Sequence, residues 1–315
     1  MNKNLKIYIA GHAGLAGSAI HRKLLKEGYS NIITRRSSEL DLRNYENVFK
    51  FFSQEQPDWV FLAAAKVGGI FANSTYPVEF LLDNLKIQNS VIEAAAKFNV
   101  KKLMFLGSSC IYPKLAPQPL KEEYLLTSSL EPTNEAYAVA KIAGIKLCAA
   151  MHKQFGFDFI SVMPTNLYGK NDNYHKTDAH VIPMLIRRFH EAKLSNLDSV
   201  EIWGSGTPKR EFLYSDELAD AVVFIMENLT ASEIGELINI GSGVEYTIME
   251  LSELIKDTVG FKGKIVLNRE KPDGTPKKLL DVTRLKALGW EAQISLKDGL
   301  KMAYKDFLEN SDVKL

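Results

Sequence analysis

The chain has 315 residues, and its 39 basic against 38 acidic side chains leave a formal net charge of +1. That length suits one large α/β unit or two lobes, and the balanced charge lacks the basic field that nucleic acid or an anionic membrane requires. Cys110 and Cys148 cannot build a disulfide framework and fit a reducing, cytoplasmic setting; the N-terminal segment has no apolar signal core, and no apolar run reaches the roughly 18 residues of a membrane span.

In chain order, short runs rich in β-branched and aromatic residues predict strands over 6–10, 31–34, 59–63, 102–106 and 159–163. Longer amphipathic stretches between them, such as "GSAIHRKLLKEGY" and "VEFLLDNLKIQNSVIEAAAKFNV", predict helices. Strands alternating with helices imply βαβ units and an α/β fold, a doubly wound parallel sheet of Rossmann type covered on both faces. This lobe is expected over 1–165, with later segments returning to it.

The first strand runs into "AGHAGLAGSAI", which sets Gly11, Gly14 and Gly17 at a strand-to-helix turn. Glycine there allows a tight turn and close approach of backbone N–H groups to a pyrophosphate, and the helix N-terminus adds partial positive charge. The second strand ends in "TRRSS". An acid at this point suits a ribose 2′-hydroxyl and an arginine suits a 2′-phosphate, so Arg35 and Arg36 favour NADPH; the alternative is a solvated pair on a loop.

The fourth strand ends in "LGSSCIYP", with Ser108, Ser109 and Cys110, and "EAYAVAKIAG" then places Tyr137 and Lys141 on one helical face. A tyrosine near pKa 10 exchanges protons with a carbonyl or alcohol oxygen at neutral pH only when a neighbouring ammonium stabilises its phenolate. Cys110 is either a packed strand-end thiol or a base, since a thiolate beside a ketone is suited to removing a proton from the adjacent carbon. Returning a proton to the other face calls for an acid, for which histidine is suited. His12 and His21 lie in the glycine-turn region, His152 and His190 in helical stretches. His175 and His180 lie in "PTNLYGKNDNYHKTDAH", a polar, aperiodic stretch that reads as a long functional loop. Beyond it a helix is expected near 181–193 and another after Thr247, within a smaller, discontinuous α/β substrate domain assigned mainly to 166–315.

The G-x-x-G-x-x-G spacing, followed by Ser, Tyr and Lys in that order, resembles the short-chain dehydrogenase/reductase superfamily. Within it, "AGHAGLAGSAI", "AAAKVGGI", "LGSSCIYP", "EAYAVAKIAG", "PTNLYG", "HVIPMLIRRFHEAK", "WGSGTPKREFLYSDELADA" and "KPDGTPKKLLDVTRL" are similar to the motifs of the GDP-L-fucose synthase family. They run in the same order over nearly the whole chain. The resemblance implies an epimerase-reductase that inverts C3 and C5 of GDP-4-keto-6-deoxy-D-mannose and then reduces C4 with NADPH.

It further implies Cys110 as base, His180 as acid, and Ser108, Tyr137 and Lys141 as the reducing triad. NADP(H) would lie against Gly11, Gly14, Leu15, Gly17, Arg36, Asp41, Lys141, Pro164, Asn166, Leu167 and His180. The GDP-sugar would meet Arg188, Trp203, Arg210 and Asp273, with no metal; by residue type alone Trp203 fits a core equally well and Arg188 a solvated helix face. Lys209 and Arg187 are not assigned a role. Some family members carry Arg where Ala13 stands, which leaves the 2′-phosphate mainly to Arg36. A homodimer packed through the Tyr/Lys helix and its neighbour is expected.

Two other readings use the same residues. One is the same chemistry, or C4 reduction only, on a related GDP-4-keto sugar such as a 6-deoxy-heptose. The other is a non-catalytic NADP-sensing protein, against which the retention of Ser108, Tyr137 and Lys141 argues. A 4,6-dehydratase would carry an acid after the serine, where Cys110 stands.

Overall fold

The structure is a computed structural model that describes residues 2–175, 179–271 and 273–309. Its first half runs β1 (Ile7–Ala10), α1 (Leu15–Lys26), β2 (Ile32–Arg35), α2 (Tyr45–Glu55), β3 (Trp59–Leu62), α3 (Ile70–Thr75), α4 (Pro77–Lys97), β4 (Lys102–Leu106), α5 (Glu135–Phe155) and β5 (Phe159–Pro164). Each of β1, β3, β4 and β5 is buried along its whole length. Parallel strands covered on both faces read as unbroken apolar runs, which is how these segments stand in the sequence.

The second half runs β6 (Asn166–Tyr168), α6 (Val181–Leu194), β7 (Ser199–Trp203), β8 (Lys209–Tyr214), α7 (Ser215–Asn228), α8 (Ala231–Ile234) and β9 (Ile238–Ile240). It continues with β10 (Glu245–Thr247), α9 (Ile248–Val259), β11 (Lys264–Asn268), β12 (Lys277–Lys278), α10 (Thr283–Ala287) and α11 (Leu296–Glu309). Thr247 and Glu250 form a capping box that starts α9, and Gly260 in the left-handed region ends it.

The main sheet is parallel, in the order β2-β1-β3-β4-β5-β9. β1 pairs with β2 on one side and β3 on the other, so the winding reverses there and opens a crevice at the carboxyl ends of the strands. On one face α1 and α7 pack Ile20, Leu24, Leu218 and Val222 over Ile9 and Phe61. On the other, α2, α4 and α5 pack Phe52, Val91, Ile142 and Ile145 over Tyr8, Val60 and Phe105. Each such side chain contributes about 1.5–3 kcal/mol on leaving water.

The smaller sheet centres on β8, with β10, β12 and β6 around it, and β7 pairs β11 separately. The helices α6, α9 and α11 close a third core through Ile186, Phe189, Leu251, Ile255 and Leu300. The polar stretch after β5 differs from its reading as one loop, because Asn166–Tyr168 pairs in parallel with Phe212–Tyr214. Three residues are too few for a period to show, and their partner lies far along the chain.

Candidate active site

Gly11 turns the chain at φ +89°, and a Cβ there would lie 2.7 Å from the Ala64 nitrogen. The Gly14 N–H donates to the Gly11 carbonyl at 3.0 Å, and a Cβ on Gly17 would stand 2.1 Å from that same oxygen. The turn is therefore folded tightly on itself and against the end of β3. The first-turn N–H groups of α1, beginning at Leu15, have no intrahelical acceptors and face the switch-point crevice, a setting that fits a pyrophosphate.

The two arginines after β2 part company. Arg35 bonds Glu55 at 2.8 Å and covers the Phe51 ring, whereas Arg36 is exposed and makes no ion pair among the described residues. Arg36 is thus the arginine of the pair left exposed, and Ala13 of the glycine turn is exposed and apolar. His12 is near enough to Arg36 and His21 that, after burial, their charges lower its pKa. Asp41 is gripped by Arg43 through bonds of 2.9 Å to each oxygen, and Arg43 holds its carboxyl below the usual range.

Ser108 ends β4 in extended conformation, and its Oγ accepts the Cys110 N–H at 3.5 Å across a 3-10 turn, Ser109–Ile111. Tyr137, in the first turn of α5, lies near enough to the Ser108 hydroxyl to feel it and packs edge-on against Phe80 at 6.2 Å. Burial pushes its phenol up. The buried Lys141 donates Nζ–H to the Leu106 carbonyl at 2.8 Å and lies 5.8 Å from the Tyr137 ring centre. Burial lowers its pKa to about 8, against the opposing pull of Cys110.

Cys110 is a free, buried thiol within this cluster. Burial pushes it up; Lys278, the Ser108 hydroxyl and Lys141 pull it back. His180 stands at the start of α6 and keeps solvent contact, yet desolvation by the surrounding protein and then the Lys278 charge lower its pKa. His175, the other loop candidate, is exposed. Ser108, Tyr137 and Lys141 thus gather around Cys110, and one further residue, Lys278 of β12, which the sequence reading missed, acts electrostatically on both Cys110 and His180. Its neighbour Lys277 instead bonds Glu245 at 2.9 Å. In "PKKLL" no periodic signal tells which lysine turns inward.

Of the remaining residues, Pro164 closes β5 at the carboxyl edge, the Asn166 amide donates to the Glu211 carbonyl at 2.8 Å, and Leu167 packs on the first core. Arg188 bonds the Glu201 carbonyl at 2.8 Å. Trp203 is 59% exposed, with the Lys271 ammonium 5.4 Å from its ring, so it is a surface platform and not a core residue. Arg210 donates to the Thr275 carbonyl, while Asp273 accepts from Ser205 through both oxygens at 2.8 and 2.7 Å. These groups flank the turn between β7 and β8, apart from the thiol cluster in sequence and joined to it by the Arg210–Lys278 pairing of β8 and β12.

A parallel sheet with a glycine turn at its switch point and a Ser–Tyr–Lys set at the end of β4 defines a dinucleotide-binding α/β protein of Rossmann type. The model of the NAD dependent epimerase/dehydratase family matches residues 7–241, and the chain belongs to that family. It is 56% identical to GDP-L-fucose synthase 1 of Arabidopsis thaliana over 98% of this chain and 95% of that one. It is 53% identical to GDP-L-fucose synthase of Escherichia coli K12, over 98% of each. Among solved structures it is similar to a GDP-mannoheptose C4 reductase from Campylobacter jejuni with NADP bound, with a TM-score of 0.90 and 41% identity over 98% of this chain and 99% of that one.

Proposed function

We propose that this chain converts GDP-4-keto-6-deoxy-D-mannose to GDP-L-fucose, by epimerisation at C3 and C5 followed by NADPH-dependent reduction at C4. The observation that carries the reading is the Cys110 thiol set among Ser108, Tyr137 and Lys278, with His180 under the same Lys278 charge. Likeness to GDP-L-fucose synthases along nearly the whole chain supports it.

The Cys110 thiolate takes the proton from the carbon next to the C4 ketone, and the electron pair moves onto O4. Ser108 and Tyr137 donate hydrogen bonds to that oxygen, and the two lysines supply positive charge in a site screened from water. His180 returns a proton to the opposite face. In the reducing step Tyr137 passes its proton to O4 and Lys141 stabilises the phenolate left behind. NADPH, when bound, supplies the hydride. The glycine turn, the N-terminus of α1, Arg36 and Lys141 fit it, with Asp41, Pro164, Asn166 and Leu167 along the same crevice.

The same reading takes the mixed sheet with α6, α9 and α11 as the sugar-nucleotide lobe, with Arg188, Trp203, Arg210 and Asp273 on the GDP moiety. It takes the molecule as a homodimer packed through α4 and α5. No helix among the described residues is long and apolar enough to cross a membrane.

The test is NMR of the product formed from the keto sugar and NADPH in deuterated water. Deuterium at C3 and C5 of GDP-L-fucose is the expected result; reduction without deuterium would make the chain a plain 4-reductase. A second reading, the same residues acting on a GDP-4-keto-heptose, draws on the likeness to the mannoheptose C4 reductase. Comparing turnover on the two keto sugars separates them.

A further inference from the structure

Glu211 is fully buried in the middle of β8 and pairs with no cation among the described residues. A buried carboxylate without a counter-charge is costly unless hydrogen bonds satisfy it. Its Oε1 accepts the Gly243 N–H at 2.7 Å and its Oε2 the Leu280 N–H at 2.9 Å. Its own carbonyl accepts from the Thr165 hydroxyl at 3.3 Å and the Asn166 amide at 2.8 Å. A Cβ on Gly241 would sit 2.2 Å from Oε1, so the loop after β9 closes directly onto the carboxylate.

The carboxylate therefore ties the loop that follows β9 to the segment that leaves β12, while the main-chain carbonyl of the same residue holds the start of β6. Along that segment successive N–H groups point to opposite sides. The Leu279 N–H goes to the Gln118 side chain at 2.9 Å and the Asp281 N–H to the Leu120 carbonyl at 2.8 Å. The Leu280 N–H, facing the other way, goes to Glu211. Two residues before it stands Lys278, whose charge acts on both Cys110 and His180.

We infer that Glu211 is a positioning residue for the deprotonation step, its carboxylate holding β12 in the place that keeps the Lys278 ammonium beside the Cys110 thiol. The inference rests on the proposed role of Cys110 as base. Glutamine in its place offers one oxygen where two separated N–H groups need acceptors, and turns a donor toward the other. Of the parallel sheet only the loop after β9 meets the carboxylate, and the glycine turn at β1 is not among its hydrogen-bond partners.

The experiment is the pH dependence of Cys110 alkylation by iodoacetamide in the full chain, with Cys110→Ser to subtract Cys148. It is run on wild type, Glu211→Gln, Lys278→Met and the double variant. Glu211→Gln is expected to move the thiol's apparent pKa up by about one unit, as an opposite charge at contact range does when lost. Lys278→Met should do the same, and the double variant should move no further than Lys278→Met, since both act through one ammonium. NADPH affinity should stay close to wild type.

Glu211→Asp, one methylene shorter with the charge kept, is the second variant and should shift the thiol in the same direction if the glutamine protein does not fold. An unchanged alkylation profile with only a lower Tm would overturn the inference, as would additive shifts in the double variant. A thiol shift as expected in a protein that exchanges no deuterium into the keto sugar would overturn the proposed reaction and leave the role of Glu211 standing.

Discussion

Cys110 serves only the deprotonation, whereas Tyr137 assists it at O4 and is the proton donor of the reduction, so their removal affects the two activities unequally. Cys110→Ser is expected to slow deuterium exchange into the keto sugar by about 10²-fold or more while C4 reduction continues, the usual worth of a placed base. Tyr137→Phe should abolish NADPH oxidation and leave exchange running at a reduced rate, since Ser108 still holds O4; NMR and absorbance at the reduced nicotinamide band read the two. The pH limbs should also oppose each other. Burial raises the Cys110 thiol, so exchange climbs with pH as thiolate forms. Lys141 sits at about 8, so the rate of C4 reduction should fall above pH 8 as the ammonium that supports Tyr137 is lost. At the far end of the crevice, Arg36→Ala should weaken NADPH binding by roughly tenfold or more and leave NADH unchanged, as the loss of a charged phosphate partner requires, with equilibrium fluorescence titration as the check.

The elements were legible where their signal is local. Strands over 59–63 and 102–106 lie within a residue of β3 and β4, because a run buried on both faces announces itself without any partner. β6 and β12 were not, since each is a few residues that become strand only by pairing with β8. The stretch after β6 holds a second feature no period could show. Asp172 is buried, its Oδ1 accepts the Asn173 N–H at 2.8 Å, and its Oδ2 has no hydrogen-bond partner among the described residues. Burial raises its pKa from 3.8 to about 7, so the native chain keeps a proton that the unfolded chain has released. The stability this group confers is complete below the unfolded value and drains away as pH rises toward about 7. Asp172→Asn, neutral throughout, should therefore raise Tm relative to wild type by an amount that grows from about pH 4 to 7 and is level above. Thermal melts across that range are the measurement.

At the scale of the whole molecule, α4 packs along α5, fastened by the Gln88 amide bonding the Ala140 carbonyl at 2.7 Å. Their outer faces leave Val78, Leu82 and Val139 at 66, 45 and 44% exposure. If the proposed homodimer uses this face, Leu82→Glu combined with Val139→Glu should give a monomer by light scattering with the far-UV spectrum unchanged. The order of strands and helices, the glycine turn, and the Ser–Tyr–Lys set were all readable from the chain alone. The first two are short-range patterns, a period or a spacing that elementary sterics and hydrogen bonding impose, and the third was read from its order along the chain and its resemblance to a family. Which of Arg35 and Arg36 is without an ion pair among the described residues, that Lys278 acts on the thiol while Lys277 bonds Glu245, and that Glu211 is buried were decided only by the tertiary structure. Cys110, His180, Glu211 and Lys278 lie on segments far apart in the chain, and only the pairing of β12 and β6 onto β8 brings them together.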